Sequence, residues 1–418
     1  VDMSIEKNLK FFNELSLSES DRKKSKRIID EIVSRLTFLR DVGLSYLTLN
    51  RKSNTLSGGE TQRINLATSL GSALVGSIYV LDEPSVGLHP EDTTRLIKIL
   101  KNLKELGNSV LVVEHDEDII RAADEIIDLG PGAGSQGGNV IAQGSINKLL
   151  DSDSLTVDYL TQNNLIEIPS LRRKSSNKIK LKGCRENNLK NINVDIPLNS
   201  LVCITGISGS GKTTLVKKIL YPSLLKEKGI FKEKPGEFDN LSGNLESITS
   251  IEYIDQNPIG TSSRSNPATY IKAYDDIRTL FSNQKSSKQF NLKPKHFSFN
   301  VDGGRCDECK GEGEIKIEMQ FMSDIRLKCE ACKGKKFKKT VLQVKYMDKN
   351  IDDILNMTID NAYDFFLNNN QTKISNKLKC LIDVGMGYVN LGQSSSTLSG
   401  GEAQRIKLAS FLLKGKNK

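Results

Sequence analysis

The stretch Thr55-Leu-Ser-Gly-Gly-Glu60 returns as Thr397-Leu-Ser-Gly-Gly-Glu402, and each copy opens a similar run, Gln62-Arg-Ile-Asn-Leu-Ala67 and Gln404-Arg-Ile-Lys-Leu-Ala409. The repetition reaches further. Asp41-Val-Gly-Leu-Ser-Tyr46 matches Asp383-Val-Gly-Met-Gly-Tyr388, and the segment 1–12 is echoed by 353–366. Three blocks in the same order are an internal repeat, not chance. A Ser-x-x-Glu box caps a helix start by exchanging side-chain and backbone hydrogen bonds, so structure alone would explain one copy. The paired glycines argue for more, because they bare N–H groups at a helix N-terminus, where anions bind. Two copies predict two nucleotide-binding halves in one chain.

Between the copies lies Gly206-Ile-Ser-Gly-Ser-Gly-Lys-Thr213. It follows the apolar run Leu201-Val-Cys-Ile-Thr205, expected as a strand, and precedes Thr214-Leu-Val-Lys-Lys-Ile-Leu220, expected as a helix. Strand, loop and helix in that order are the context a P-loop needs. Its glycines let the backbone wrap phosphates and aim N–H groups at them. The candidate nucleotide-binding set is Gly206, Ser208, Gly209, Ser210, Gly211, Lys212, Thr213 and Thr214. Lys212 would reach the β- and γ-phosphates, and the Thr213 hydroxyl would ligate Mg²⁺.

Residues 77–82 and 109–114 are short apolar runs of the kind found in buried parallel strands. The segment 92–106 between them has helical periodicity, with Leu96, Ile99, Leu100 and Leu103 on one face. This is βαβ grammar. Asp82, at the end of the first run, suits Mg²⁺, and Glu83 can orient and deprotonate a water. His115, after the second run, can contact a γ-phosphate and hold that water. Taken singly, each reads as a solvated turn residue; placed shortly after a signature, they read as chemistry. Gln256, after Ile251-Glu-Tyr-Ile254-Asp255, offers a neutral side chain able to sense Mg²⁺ and water.

Cys306-x-x-Cys309 and Cys329-x-x-Cys332 stand nineteen residues apart, the spacing of a four-thiolate zinc site. A redox dithiol or two disulfides are the alternatives. Four thiolates leave no open coordination position, so the expected role is structural. Cys184, Cys203 and Cys380 read as buried small hydrophobes. Lys333, Lys335, Lys336, Lys338 and Lys339 follow the second pair and would either meet DNA phosphates or form a solvated face.

At 418 residues the chain holds two to four domains, taking about 100–200 residues per domain. A formal net charge of +9 suits polyanionic partners without specifying a fold. No apolar run approaches the ~18 residues of a membrane helix, and no signal peptide is visible, so the expected location is cytoplasmic. The first residue is Val1, inside what reads as an ongoing motif, so the chain is expected to be a fragment.

Together these motifs resemble the ATP-binding-cassette ATPases and, within them, the UvrA family of damage-recognition subunits in bacterial nucleotide excision repair. The narrower resemblance rests on Asp255-Gln-Asn-Pro-Ile-Gly260, Arg264-Ser-Asn-Pro-Ala-Thr-Tyr270, Phe297-Ser-Phe-Asn-Val301 with Gly303-Gly-Arg-Cys306, and the cysteine spacing. It implies an α/β fold of two incomplete cassettes with an inserted four-cysteine zinc module. Residues 1–165 would be the C-terminal part of the first cassette and 166–180 a linker. Residues 181–283 would be the N-terminal part of the second cassette, 284–345 the zinc module, and 346–418 the second signature subdomain. It also implies ATP sites built from the P-loop of one cassette and the signature of the other. One would use Lys212, Thr213 and Gln256 with Ser57, Gly58 and Gly59 opposite; the other Asp82, Glu83 and His115 with Ser399, Gly400 and Gly401 opposite. Neither set is complete, so this stretch alone is expected to bind nucleotide but hydrolyse it poorly, lacking a water-orienting carboxylate beside its P-loop. The implied cofactors are ATP, Mg²⁺ and Zn²⁺. The implied partners are damaged double-stranded DNA, a second copy in a homodimer, and a UvrB-type protein whose binding region is not in this stretch. A UvrA-like paralogue in drug tolerance and a ribosome-associated two-cassette ATPase are the other readings.

Overall fold

The structure is a computed structural model and describes residues 1–56, 58–70, 75–161, 166–255, 257, 259–260, 264–317, 319 and 325–415. It divides into two compact units. One comprises Val1–Pro131 with Asn139–Ile251, the other Gly132–Gly138 with Glu252–Lys418.

In the first unit, Ser4 caps helix α1 (Ile5–Asn13) by accepting from the Lys7 N–H, and Ile5 and Leu9 are buried. Helix α2 (Glu19–Leu39) and helix α3 (Gly58–Leu70) pack beside it around Leu36, Leu44, Leu66 and Ala67. Strand β1 (Ile78–Asp82) runs to helix α4 (Pro90–Glu105) and back to strand β2 (Ser109–Val113). The strands pair in parallel, from Ile78 opposite Ser109 to Asp82 opposite Val113. Proline opens α4 where its missing N–H costs nothing. Leu96, Ile99 and Leu103 are buried, while Leu100 is partly covered.

One expectation for β1 and β2 needs correction. They are parallel but not covered on both faces. Tyr79, Leu81, Val110 and Val112 face the apolar cluster, whereas Ile78, Val80, Leu111 and Val113 are exposed. An apolar run does not distinguish a strand buried on two faces from one buried on a single face; only a second covering layer does.

The rest of this unit is antiparallel. Strands β3 (Ile126–Gly130) and β4 (Asn139–Gly144) pair, and β5 (Lys178–Cys184) sits between β6 (Ile192–Pro197) and β7 (Asn240–Gly243). The run 201–205 is not a strand among the described residues: it has no assigned strand geometry, Leu201 is fully exposed and Cys203 is exposed. This corrects the reading of Cys203 as buried. Its hydrophobic, β-branched composition favours a strand, but without a ladder neighbour the segment gains no covering layer. Cys184 and Cys380 are buried as expected. The segment after the P-loop opens as a wide helical turn, Thr214–Leu220, and continues as helix α5 (Tyr221–Glu227). Leu215 and Ile219 bury against Leu181 and Cys184.

The second unit has one large apolar cluster. It joins Ile277 and Phe281 of helix α6 (Ala273–Ser282) to Ile351 and Leu355 of α7 (Ile351–Leu355), Phe366 of α8 (Ile359–Asn368), Leu378 of α9 (Thr372–Ile382) and Ile406 of α10 (Gly400–Gly415). Phe297, Phe299, Phe337 and Val341, which flank the cysteines, lie in that same cluster.

The sequence repeat is also a structural repeat. In the first unit the N–H groups of Ile5 and Glu6 donate to the carbonyls of Leu47 (2.8 Å) and Ser45 (3.1 Å). In the second, Ile359 and Asp360 donate to Val389 (2.9 Å) and Gly387 (3.0 Å). Gly43 and Gly385 take equivalent left-handed turns at φ 77° and 73°. No described helix is long and apolar enough to cross a membrane.

Candidate nucleotide-binding site and cysteine cluster

The P-loop is a backbone cradle. Gly206, Gly209 and Gly211 all have positive φ (144°, 76° and 103°), a region that side chains disfavour. Lys212 folds over the loop, its ammonium donating to the carbonyls of Gly206 (2.5 Å) and Ile207 (2.9 Å). Asn188 fixes the crest by donating to the Gly209 carbonyl at 2.7 Å. Thr213 begins the helical turn in right-handed geometry. The bonds of Lys212 go to neutral oxygens, so an anionic phosphate would outcompete them.

Three side chains from earlier in the chain meet this loop, all within the first unit. The Arg63 guanidinium, on α3, donates to the Ser208 hydroxyl at 3.2 Å. Asp92, on α4, accepts from the Ser208 N–H at 3.4 Å. Both residues are buried, at 5% and 7% exposure. The Tyr46 ring lies over Gly209, so close that a β-carbon there would come within 2.7 Å of it. Tyr46 also donates its hydroxyl to the Glu60 carboxylate. The structure thus brings the helix opened by Gly58 and Gly59 against the P-loop; Ser57 lies outside the described residues. Sequence reasoning missed Tyr46, Arg63 and Asp92, because nothing local ties them to a loop more than a hundred residues away.

Among the described residues, the second repeat keeps the pair but not the loop contact. Tyr388 donates to Glu402 at 2.6 Å, and the other Glu402 oxygen accepts from the Ser399 N–H at 2.8 Å. The Ser399 hydroxyl accepts from the Glu402 N–H at 3.2 Å, completing the capping box. Arg405, the counterpart of Arg63, turns to Gly385 and to Tyr388 instead. Ser399, Gly400 and Gly401 are exposed at the head of α10. Gln256 lies outside the described residues; its neighbour Asp255 is tied to Lys407, which holds its carboxyl below the usual range.

Asp82 ends β1, and Glu83 follows in a left-handed conformation (φ 44°), its N–H donating to the Val113 carbonyl at 2.9 Å. The His115 Nε2 and a Glu83 oxygen stand 3.7 Å apart. Their organiser is Glu114. One of its oxygens accepts from the Ser85 N–H (2.7 Å), the other from the N–H groups of His115 (2.9 Å) and Asp116 (3.3 Å). A carboxylate that takes three backbone donors fixes both loops at the strand ends. The visible signal was a third carboxylate beside His115.

In the second unit, Cys306, Cys309, Cys329 and Cys332 are all buried, with their sulfurs within 4.8 Å of one another. Cys306 and Cys329 are 3.9 Å apart, Cys309 and Cys332 3.6 Å. A disulfide needs about 2.05 Å, so the four are free thiols here. Four ligands tetrahedrally placed about 2.3 Å from one ion would sit about 3.8 Å from each other, which the cluster fits. Antiparallel strands β8 (Glu314–Ile317) and β9 (Ile325–Lys328) connect the two pairs. Gly313 and Gly334 take the left-handed turns that close the knuckles, at φ 83° and 82°. Burial pushes the Cys332 thiol up to about 12, while the Cys332 backbone N–H holds Cys329 down. A bound cation would displace the remaining protons.

Comparisons with known proteins match part of the chain in one case and nearly all of it in the others. A family model described as "AAA domain, putative AbiEii toxin, Type IV TA system" matches residues 8–120. The "UvrABC system protein A" of Clostridium tetani is 55% identical over 414 residues, which is 99% of this chain and 44% of that protein. That of Staphylococcus aureus is 52% identical over 416 residues, with the same coverage. The crystal structure of UvrA2 from Deinococcus radiodurans superposes with a TM-score of 0.92 at 40% identity, covering 99% of this chain and 51% of that one. The chain therefore spans less than half the length of the curated relatives it matches. With a P-loop, two signature repeats and a four-cysteine cluster on an α/β fold shared along its full length with these proteins, the chain belongs to the UvrA family.

Proposed function

We propose that the chain is part of an ATP-controlled DNA-damage recognition protein of nucleotide excision repair. It would act on damaged duplex DNA as a homodimer and hand the site to a UvrB-type partner. The observation that carries this reading is the meeting of the P-loop with Arg63 of the first signature helix, with Tyr46, which is bonded to Glu60 of that helix, and with Asp92 of α4. A loop that touches the signature can pass the state of its nucleotide to the rest of the molecule.

In this proposal Lys212 and the P-loop N–H groups hold the β- and γ-phosphates. Thr213 and Gln256 would hold Mg²⁺, which when bound would supply positive charge against the phosphates. Ser57, Gly58 and Gly59 offer a helix N-terminus to the γ-phosphate, as Ser399, Gly400 and Gly401 do on α10. Asp82 would hold Mg²⁺, Glu83 would orient a water and His115 would steady it. The four cysteines hold zinc and keep their segment folded. Lesions would be read through the shape and deformability of the duplex rather than base identity.

The test uses the full-length protein and two duplexes, one with a bulky lesion and one without, at fixed salt, with and without ATP. Salt is held because it sets the phosphate-driven background. The expected result is a nucleotide-dependent preference for the lesion duplex. Equal binding that simply tracks salt would remove the repair reading.

A further inference from the structure

Glu60 poses a physical problem for the signature. It stands in the first turn of α3, where helix N–H groups attract anions, and where the proposed γ-phosphate must approach. A carboxylate there both competes for the donors and repels the phosphate. The second repeat shows the competition directly, since Glu402 takes the Ser399 N–H.

In both repeats a tyrosine hydroxyl meets that carboxylate: Tyr46 donates to Glu60 and Tyr388 to Glu402. Bonds of this charge-assisted kind are among the strongest available. They fix one oxygen and draw its charge away from the helix end. Tyr46 is held by more than this bond, because its ring is in contact with Gly209 at the P-loop crest. Burial and Glu60 together raise its hydroxyl far above the ordinary tyrosine value, so it remains a donor at all working pH.

We propose that Tyr46 is a positioning residue that masks the Glu60 charge and, through its ring on Gly209, makes that masking depend on the conformation of the P-loop. This rests on the reading above that the loop holds ATP facing the signature. Its specific consequence is discrimination. The γ-phosphate feels Glu60, whereas a diphosphate ends short of it.

The test measures dissociation constants of Mg-ATP and Mg-ADP for the 418-residue chain and three variants: Tyr46→Phe, Glu60→Gln and the double variant. Phenylalanine keeps the ring on Gly209, and thermal unfolding confirms that each variant is folded. Tyr46→Phe is expected to weaken ATP binding about tenfold and leave ADP nearly unchanged. Glu60→Gln, with no charge to mask, is expected to bind ATP at least as well as wild type. Adding Tyr46→Phe to it should then cost nothing, giving a clear non-additivity. Equal losses for ATP and ADP would mean a packing role, and a Tyr46→Phe loss that persists in the Glu60→Gln background would show that the charge is irrelevant. Either result overturns the inference. If the wild-type chain binds neither nucleotide, the ATP-site reading falls and takes this inference with it; normal ATP binding with an unmoved Tyr46→Phe variant overturns this inference alone.

Discussion

Replacing Lys212 with alanine is expected to weaken ATP binding to this chain by at least ~100-fold while leaving its fold intact. Bonds from a charged donor contribute about 1.5–3 kcal/mol each, and a triphosphate offers the ammonium more than one charged oxygen. The fold has little at stake. Lys212 is only partly buried, and its two bonds go to carbonyls of its own loop. Arginine should not rescue the loss, because its planar fork cannot replace a compact ammonium over the loop. Isothermal titration with Mg-ATP, beside a thermal unfolding trace, separates affinity from folding. An alanine variant that binds ATP as wild type does would mean that the glycine loop is not a phosphate cradle.

The second large effect concerns the cysteine cluster. The purified protein is expected to carry one zinc per chain, and Cys329→Ser or strong chelation should remove it. Structural zinc contributes roughly 10–16 kcal/mol in isolated fingers at neutral pH, so removal would melt any domain that had no other core. Here the damage should stay local. The flanking Phe297, Phe299 and Phe337 belong to the large cluster that also holds Phe281 and Phe366, and that cluster does not need the metal. The expected signature is new protease cleavage between Cys306 and Cys332 with most of the unfolding transition retained. Metal analysis showing no zinc, with all four thiols reactive, would instead favour a redox role.

Much of this was legible in the sequence where the chemistry is local. The P-loop announces itself through glycines that only an unusual backbone needs, and the βαβ unit through the spacing of Leu96, Ile99 and Leu103. The two cysteine pairs carry their own geometry. What was not legible depends on layers and neighbours. The run 201–205 reads as a strand from composition, yet a strand exists only beside another. The alternation of Ile78 and Val80 with Tyr79 and Leu81 was hidden, since all four are apolar. Contacts from Tyr46, Arg63 and Asp92 to the P-loop span more than a hundred residues of chain, and no periodicity encodes them. Glu114 was passed over because His115 beside it drew the functional reading, although the bonds of Glu114 set both loops. The assignment of Gln256 falls on a residue outside the described ones.

The outward face of β1 and β2 has a practical meaning. Ile78, Val80, Leu111 and Val113 form a stripe of bare aliphatic side chains, from 48% to 68% exposed, on a two-stranded ribbon. Such a ribbon is adhesive, because it offers contiguous oily surface. Worked with in isolation, this chain will behave as a sticky reagent. It will foul surfaces, scatter light as it is concentrated and prefer mild detergent or a solubilising fusion. Charged substitutions on those four positions would be the first remedy, since they touch neither the loop that holds Lys212 nor the knuckles that hold the cysteines.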